Sequence, residues 1–328
     1  LTLPLVEALR EWRPELQLDV LIESPYSAVF SRHPAIHETL VVNRGSWPSK
    51  TGWSKGRALL ELRRRRYPVA INLHGGTTSL LFTVASGARL RIGEERYQGS
   101  WAYNSVIPSS IRVWKREAVH TAEHQLTLLR WLEIPIPDKP GCTLYVDDSA
   151  CDRLRERLAR LGIPWHGFFL IHPTATLHTK QWPAAHFAEI GDQLHKQYGL
   201  PVIFTSASTE AQVLLDIGKC AGQRYHYWSD LALDELFALI DGCRLFVGND
   251  SGPTHAAAAL RRPVVVVWGS SNFKAWHPWG TDYEFVRSDL PCMPCPGYTC
   301  AVFGKPKCIL EIPVESVLQA CHRILNRT

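Results

Sequence analysis

The stretch Leu245-Phe246-Val247-Gly248-Asn249-Asp250-Ser251-Gly252-Pro253-Thr254-His255-Ala256-Ala257-Ala258-Ala259 decides the fold. Three apolar residues are followed by turn formers and then by a run of alanines, the strongest helix formers, which is the strand, loop and helix order of an α/β unit. Ligands of open parallel sheets bind beyond the carboxyl ends of the strands. Ser251 and Gly252 would stand where the helix begins, the end whose free N–H groups favour a phosphate. Asp250 and His255 flank that point, so the stretch reads as a site for a phosphate-bearing ligand such as a nucleotide sugar.

The same grammar extends in both directions. Downstream of residue 160 the expected strands are 168–171, 202–204, 245–247 and 264–267, separated by helices at 183–198, 210–217 and 233–240. The first of these helices places Phe187, Ile190 and Leu194 in register and is stopped by Gly199. Upstream, strand-like runs lie at 18–22, 40–42, 69–73, 90–92 and 143–146, with helices at 4–12 and 122–132. A charged segment at 147–160 leads into the second half, with the crossing near Gly162-Ile163-Pro164, and a last helix is expected at 314–325. Alternation of this kind builds parallel sheets. The expected fold is α/β with two Rossmann-like domains facing a cleft.

Composition agrees. A chain of 328 residues with 45% hydrophobic content can fill two cores. Its longest strongly apolar run, 264–268, is far below the ~18 residues that span a bilayer. No signal peptide opens the sequence. A net charge of +5 gives no ground for a nucleic-acid partner. The basic run Arg63-Arg64-Arg65-Arg66 reads either as a solvated helix face or as a contact for an anionic acceptor or a membrane surface. Nine cysteines, an odd number without secretory context, suit reduced thiols in the cytosol. Cys292, Cys295, Cys300 and Cys308 could hold a structural zinc, although the second pair is spaced more widely than in a zinc ribbon.

Several residues carry candidate chemistry. Lys180, in a loop between strand and helix, can meet a phosphate as a point charge or be a plain surface lysine. Asp250 can cap a helix or grip a ligand hydroxyl. His255 suits a core position or a phosphate contact. Glu210, after a polar loop, can accept a ribose diol or cap its own helix. Trp276-His277-Pro278-Trp279 can wall a sugar or adenine pocket, or only pack. Neither an Asp-x-Asp metal motif nor a Gly-x-Gly-x-x-Gly dinucleotide motif occurs, so no metal or redox cofactor is expected.

The Asp-Ser-Gly, His and alanine pattern resembles the signature of the ADP-heptose:lipopolysaccharide heptosyltransferase family, glycosyltransferase family 9. His172-Pro173-Thr174-Ala175-Thr176 with Lys180-Gln181-Trp182-Pro183 is similar to its second motif, and Leu1-Thr2-Leu3-Pro4-Leu5-Val6-Glu7-Ala8-Leu9 to its first helix. The aromatic loop is similar to that of the heptosyltransferase III branch. The resemblance implies the GT-B architecture, with an acceptor domain over residues 1–150, a donor domain over 151–312, and a helix at 313–328 crossing back to the first. It implies inverting, metal-independent transfer of heptose from ADP-heptose to the lipopolysaccharide inner core, on the cytoplasmic side of a Gram-negative inner membrane and in contact with its surface. Lys180 and Asp250 would be the catalytic pair; Thr174, Thr176, Lys180, Glu210, Asp250, Ser251, Gly252, Thr254 and His255 would bind the donor. A related transferase with a protein or another glycan as acceptor, and an inactive nucleotide-sugar-binding protein, stand as alternatives. In the family a Gly-Asp pair, whose aspartate is the base, precedes the segment matched to Leu1, so we expect a chain truncated before Leu1, without its first strand and with poor turnover.

Overall fold

The computed structural model describes residues 1–43, 50–138, 140–295 and 297–327, apart from the side chains of residues 50–54. In chain order the elements are α1 (Leu3–Trp12), β1 (Asp19–Glu23), β2 (Glu38–Val42), α2 (Lys50–Arg65), β3 (Val69–Ile71), α3 (Thr77–Ala85), β4 (Leu90–Glu94), β5 (Ser105–Ile107), α4 (Ser110–Trp114) and α5 (Thr121–Trp131). They continue with α6 (Asp148–Ala159), β6 (Phe169–His172), α7 (Ala184–Tyr198), β7 (Val202–Thr205), α8 (Ala211–Cys220), β8 (His226–Trp228), α9 (Leu233–Gly242), β9 (Leu245–Asn249) and α10 (Gly252–Ala259). Last come β10 (Val264–Trp268), α11 (Phe273–Trp276), β11 (Tyr283–Arg287), α12 (Lys307–Leu310) and α13 (Val314–Leu325). The chain divides into two compact units, Leu1–Gly141 and Cys142–Thr328.

In the first unit every strand pairing is parallel, but the strands form two sheets, β1-β2 and β3-β4-β5, since no described strand joins β1 to β3. Leu5, Ala8 and Leu9 of α1 pack with Leu126, Leu128 and Leu129 of α5, and with Ile92 and Ile107 of the second sheet. A smaller cluster joins Val42, Leu62 and Phe82, so α2 and α3 cover one patch together.

The second unit is a single six-stranded parallel sheet in the order β11-β10-β9-β6-β7-β8. Its chain path leaves β6 outward through β7 and β8, then returns to the other side of β6 at β9. The order therefore reverses between β6 and β9, the place where open α/β sheets hold ligands. All five residues of β9 and of β10 are buried, as expected for strands covered on both faces.

Three features differ from the sequence expectation. Residues 143–146 form no strand, although the Leu144 N–H bonds the Ala259 carbonyl at 3.1 Å. The charged segment after them is α6, not a connector: Asp147 caps it by accepting from Ala150 N–H, and Ala150, Cys151, Leu154 and Leu158 are buried. Helical spacing put its apolar residues on one face while its charges dominated the sequence. The units consequently meet before α6, between residues 141 and 142 rather than at 150. The last helix, α13, buries Val317, Ala320, Cys321 and Ile324 in the core of the second unit.

Candidate active site

The residues converge on the carboxyl ends of β9, β6, β7 and β10. Asn249, the last residue of β9, is fully buried; its amide nitrogen donates to the Pro173 carbonyl at 2.7 Å and its amide oxygen accepts from Trp182 N–H at 3.2 Å. It staples the two strand ends at the switch point. The Trp182 indole N–H donates to the Ile312 carbonyl at 3.0 Å, which fixes the start of α7 as well.

Asp250 follows directly and is only 4% exposed. Its Oδ2 accepts from Lys180 Nζ at 2.7 Å and from the Ser271 hydroxyl, while Oδ1 lies 3.7 Å from His255 Nε2. A buried carboxylate requires such partners. Lys180 reaches it from a 3-10 turn, His178–Lys180, held against the loop after β10 by the Thr179 hydroxyl, which lies 2.9 Å from the Ser270 hydroxyl and donates to the Gly297 carbonyl. Gly269 is required there: a Cβ would collide with the Thr179 carbonyl and come within 3.1 Å of Lys180 Cα.

α10 begins at Gly252, whose missing side chain would have nothing within 4 Å, so the helix start is open to a ligand. The Ser251 hydroxyl is buried and makes no hydrogen bond among the described residues. The Thr254 side chain is wholly buried and its hydroxyl donates to the Asn249 carbonyl at 2.5 Å. That hydroxyl closes the turn below the helix, which leaves the Thr254 backbone N–H as its means of meeting a ligand. On the β7 side, Thr174 donates to Glu210 Oε2 at 2.8 Å, tying the β6 loop to the loop before α8. Thr176, on the same loop, is exposed and makes no side-chain hydrogen bond among the described residues. His172 sits beneath this loop, and burial lowers its imidazole to about pKa 4, which keeps the ring neutral.

A pocket of about 380 Å³ opens beside Lys180 and Ser271, walled by Leu177, Trp276, Pro294 and Cys295. Trp276 is therefore the part of the aromatic loop that faces the site; His277 packs on Tyr283 with ring centroids 5.8 Å apart. All nine cysteines are free. Burial, with Cys295, Cys292 and Cys300 nearby, pushes the Cys308 thiol up to about 11. The four do not gather as a metal-ligand group among the described residues; Asp19, His37 and Glu38 do. Arg65 already fills that place, with Nη1 3.1 Å from Asp19 and 2.5 Å from Glu38. Asn249, Ser271 and Ser270 went unnoticed in the sequence. Small polar residues after strands carry no distinctive signal there.

Two units built on parallel sheets, with this site at a switch point, define a GT-B glycosyltransferase fold. A solved structure described as Escherichia coli ADP-heptose lipopolysaccharide heptosyltransferase II superposes with a TM-score of 0.79 at 21% identity, over 99% of this chain and 94% of that one. Among curated proteins, lipopolysaccharide heptosyltransferase 2 of Salmonella typhimurium is 32% identical over 98% of this chain and 93% of its own length. Lipopolysaccharide heptosyltransferase 3 of Escherichia coli K12 is 26% identical over 99% and 94%. The profile of glycosyltransferase family 9 (heptosyltransferase) matches residues 56–305, and the chain belongs to that family.

Proposed function

We propose that this glycosyltransferase moves heptose from ADP-heptose to a heptose of the lipopolysaccharide inner core, with inversion at the anomeric carbon. The observation that carries the reading is the Lys180–Asp250 pair, 2.7 Å apart at the open start of α10. In the ligand-free chain each ion serves the other. When the donor binds, Lys180 turns to the diphosphate and Asp250 to the sugar hydroxyls, while the first N–H groups of α10 take phosphate oxygens. Glu210, now held by Thr174, lies where it can accept the ribose diol. The acceptor hydroxyl oxygen then attacks the anomeric carbon and gives its proton to solvent water, while the bond to phosphate breaks with its electron pair going to ADP. Lys180 and the helix end stabilise that charge without a metal ion.

The similarity to lipopolysaccharide heptosyltransferases supports the lipopolysaccharide acceptor, and with that acceptor the proposed place of action is the cytoplasmic face of the inner membrane. The test is transfer from ADP-heptose to core oligosaccharide lacking its side-branch heptose, followed by mass and anomer analysis. A product one heptose heavier, with ADP released, is expected, and is absent in Asp250→Ala. Binding of ADP-heptose without transfer would favour a nucleotide-sugar-binding protein. Transfer to a protein or another glycan alone would replace the acceptor.

A further inference from the structure

α3 has no charged residue on any face: Thr77-Thr78-Ser79-Leu80-Leu81-Phe82-Thr83-Val84-Ala85. It sets no charged face toward water, and large apolar side chains left exposed together on such a helix mark a surface for a partner. Only Phe82 and Thr83 are buried, while Leu81 and Val84 are 54% and 45% exposed. Trp101 is 85% exposed on the neighbouring Ser100–Ala102 turn, which is held close by Gly99, where a Cβ would collide with Leu80.

The flank is basic. α2 shares its buried cluster with α3, and the Arg63 guanidinium lies over Gly87 at the end of α3. One turn earlier on α2 stands Leu60, 68% exposed, with Arg57 and Arg64 three and four residues away on the same face. Of the arginine run, Arg65 is consumed by Glu38, Glu61 and Asp19. Arg57, Arg63 and Arg64 are exposed and make no hydrogen bond or ion pair among the described residues.

We infer that the outer faces of α2 and α3, with Trp101, dock on an anionic lipid bilayer. Leu81, Val84, Leu60 and Trp101 enter the headgroup boundary, and the arginines meet lipid phosphates. A second copy of the chain is the poorer occupant, because a two-fold contact through this face sets arginines against arginines. The inference rests on the proposed lipid-anchored acceptor, but its test does not require transfer.

Sedimentation with vesicles of three parts phosphatidylcholine to one part phosphatidylglycerol is compared with phosphatidylcholine alone. The chain should pellet with the first only. Arg57→Ser/Arg64→Ser should weaken binding about 25-fold, at roughly fivefold per arginine, and Leu81→Ser/Trp101→Ser should abolish it. Circular dichroism checks folding, and the arginine variant decides alone if the apolar one unfolds. Both variants should keep ADP binding, read by thermal unfolding, so loss of ADP binding in the unsubstituted chain strikes the proposed reaction and not the surface. Equal pelleting on both vesicles, unchanged binding of the arginine variant, or dimerisation in buffer that the variants abolish each overturns the docking surface.

Discussion

Replacing Lys180 by alanine removes the cation from a carboxylate that is 4% exposed. The Ser271 hydroxyl and His255, 3.7 Å away, remain as partners. Breaking a fully buried pair costs about 3–5 kcal/mol, but the Lys180 side chain is partly open to water, so about 2–3 kcal/mol is expected here. Asp250→Asn in the Lys180→Ala background removes the stranded charge while keeping the shape. The double variant should therefore recover most of the loss, with a coupling of about 2 kcal/mol against additivity. Urea denaturation of the four proteins, read by intrinsic fluorescence, gives the cycle directly. Additive effects within about 0.5 kcal/mol would refute the claim that the two ions hold each other at the strand end.

His172 gives a pH signature. Its folded pKa of about 4 lies below the ordinary 6.5, so the unfolded chain takes a proton that the folded one refuses. Its stabilising share is complete above pH 6.5 and is lost as pH falls toward 4, by about 3 kcal/mol in all; denaturation of His172→Gln should show a flatter decline over that window, and a parallel one contradicts the assignment. Asn249→Ala strands the Pro173 carbonyl and the Trp182 N–H, and should cost about 2–4 kcal/mol in the same assay. Gly269→Ala drives a Cβ into the turn that carries Lys180; calorimetry should find ADP affinity reduced about tenfold, because misplacement near 1 Å is costly at a charged site. Unchanged affinity would show that the turn does not set the position of Lys180.

The second unit was more legible in the sequence than the first. Fully buried parallel strands leave continuous apolar runs, and Val264 to Val267 could be read as little else. β8 and β11, whose residues are only partly buried or exposed apart from Trp228, were missed, as was β5. α6 was taken for a connector because its charges face outward and its four buried residues are small or widely spaced. At the site, Lys180, Asp250 and Glu210 stood out as charged residues next to strand ends. The partners that orient them were invisible: Thr174 on Glu210 and Ser271 on Asp250 pair residues 36 and 21 positions apart, which no local pattern encodes. Thr254 shared the motif with Asp250, yet its hydroxyl turned inward, a choice set by the turn and not by residue type.

The central claim is that the strand-end site takes an ADP-sugar, with Lys180 on its diphosphate. Thermal unfolding with ADP, UDP and GDP, repeated on Lys180→Ala, tests it most directly. ADP at about 100 times its dissociation constant should stabilise the fold by ~2.7 kcal/mol, UDP and GDP should do far less, and the variant should lose most of the effect. A clear preference for UDP or GDP, or an ADP shift untouched by Lys180→Ala, would contradict the account.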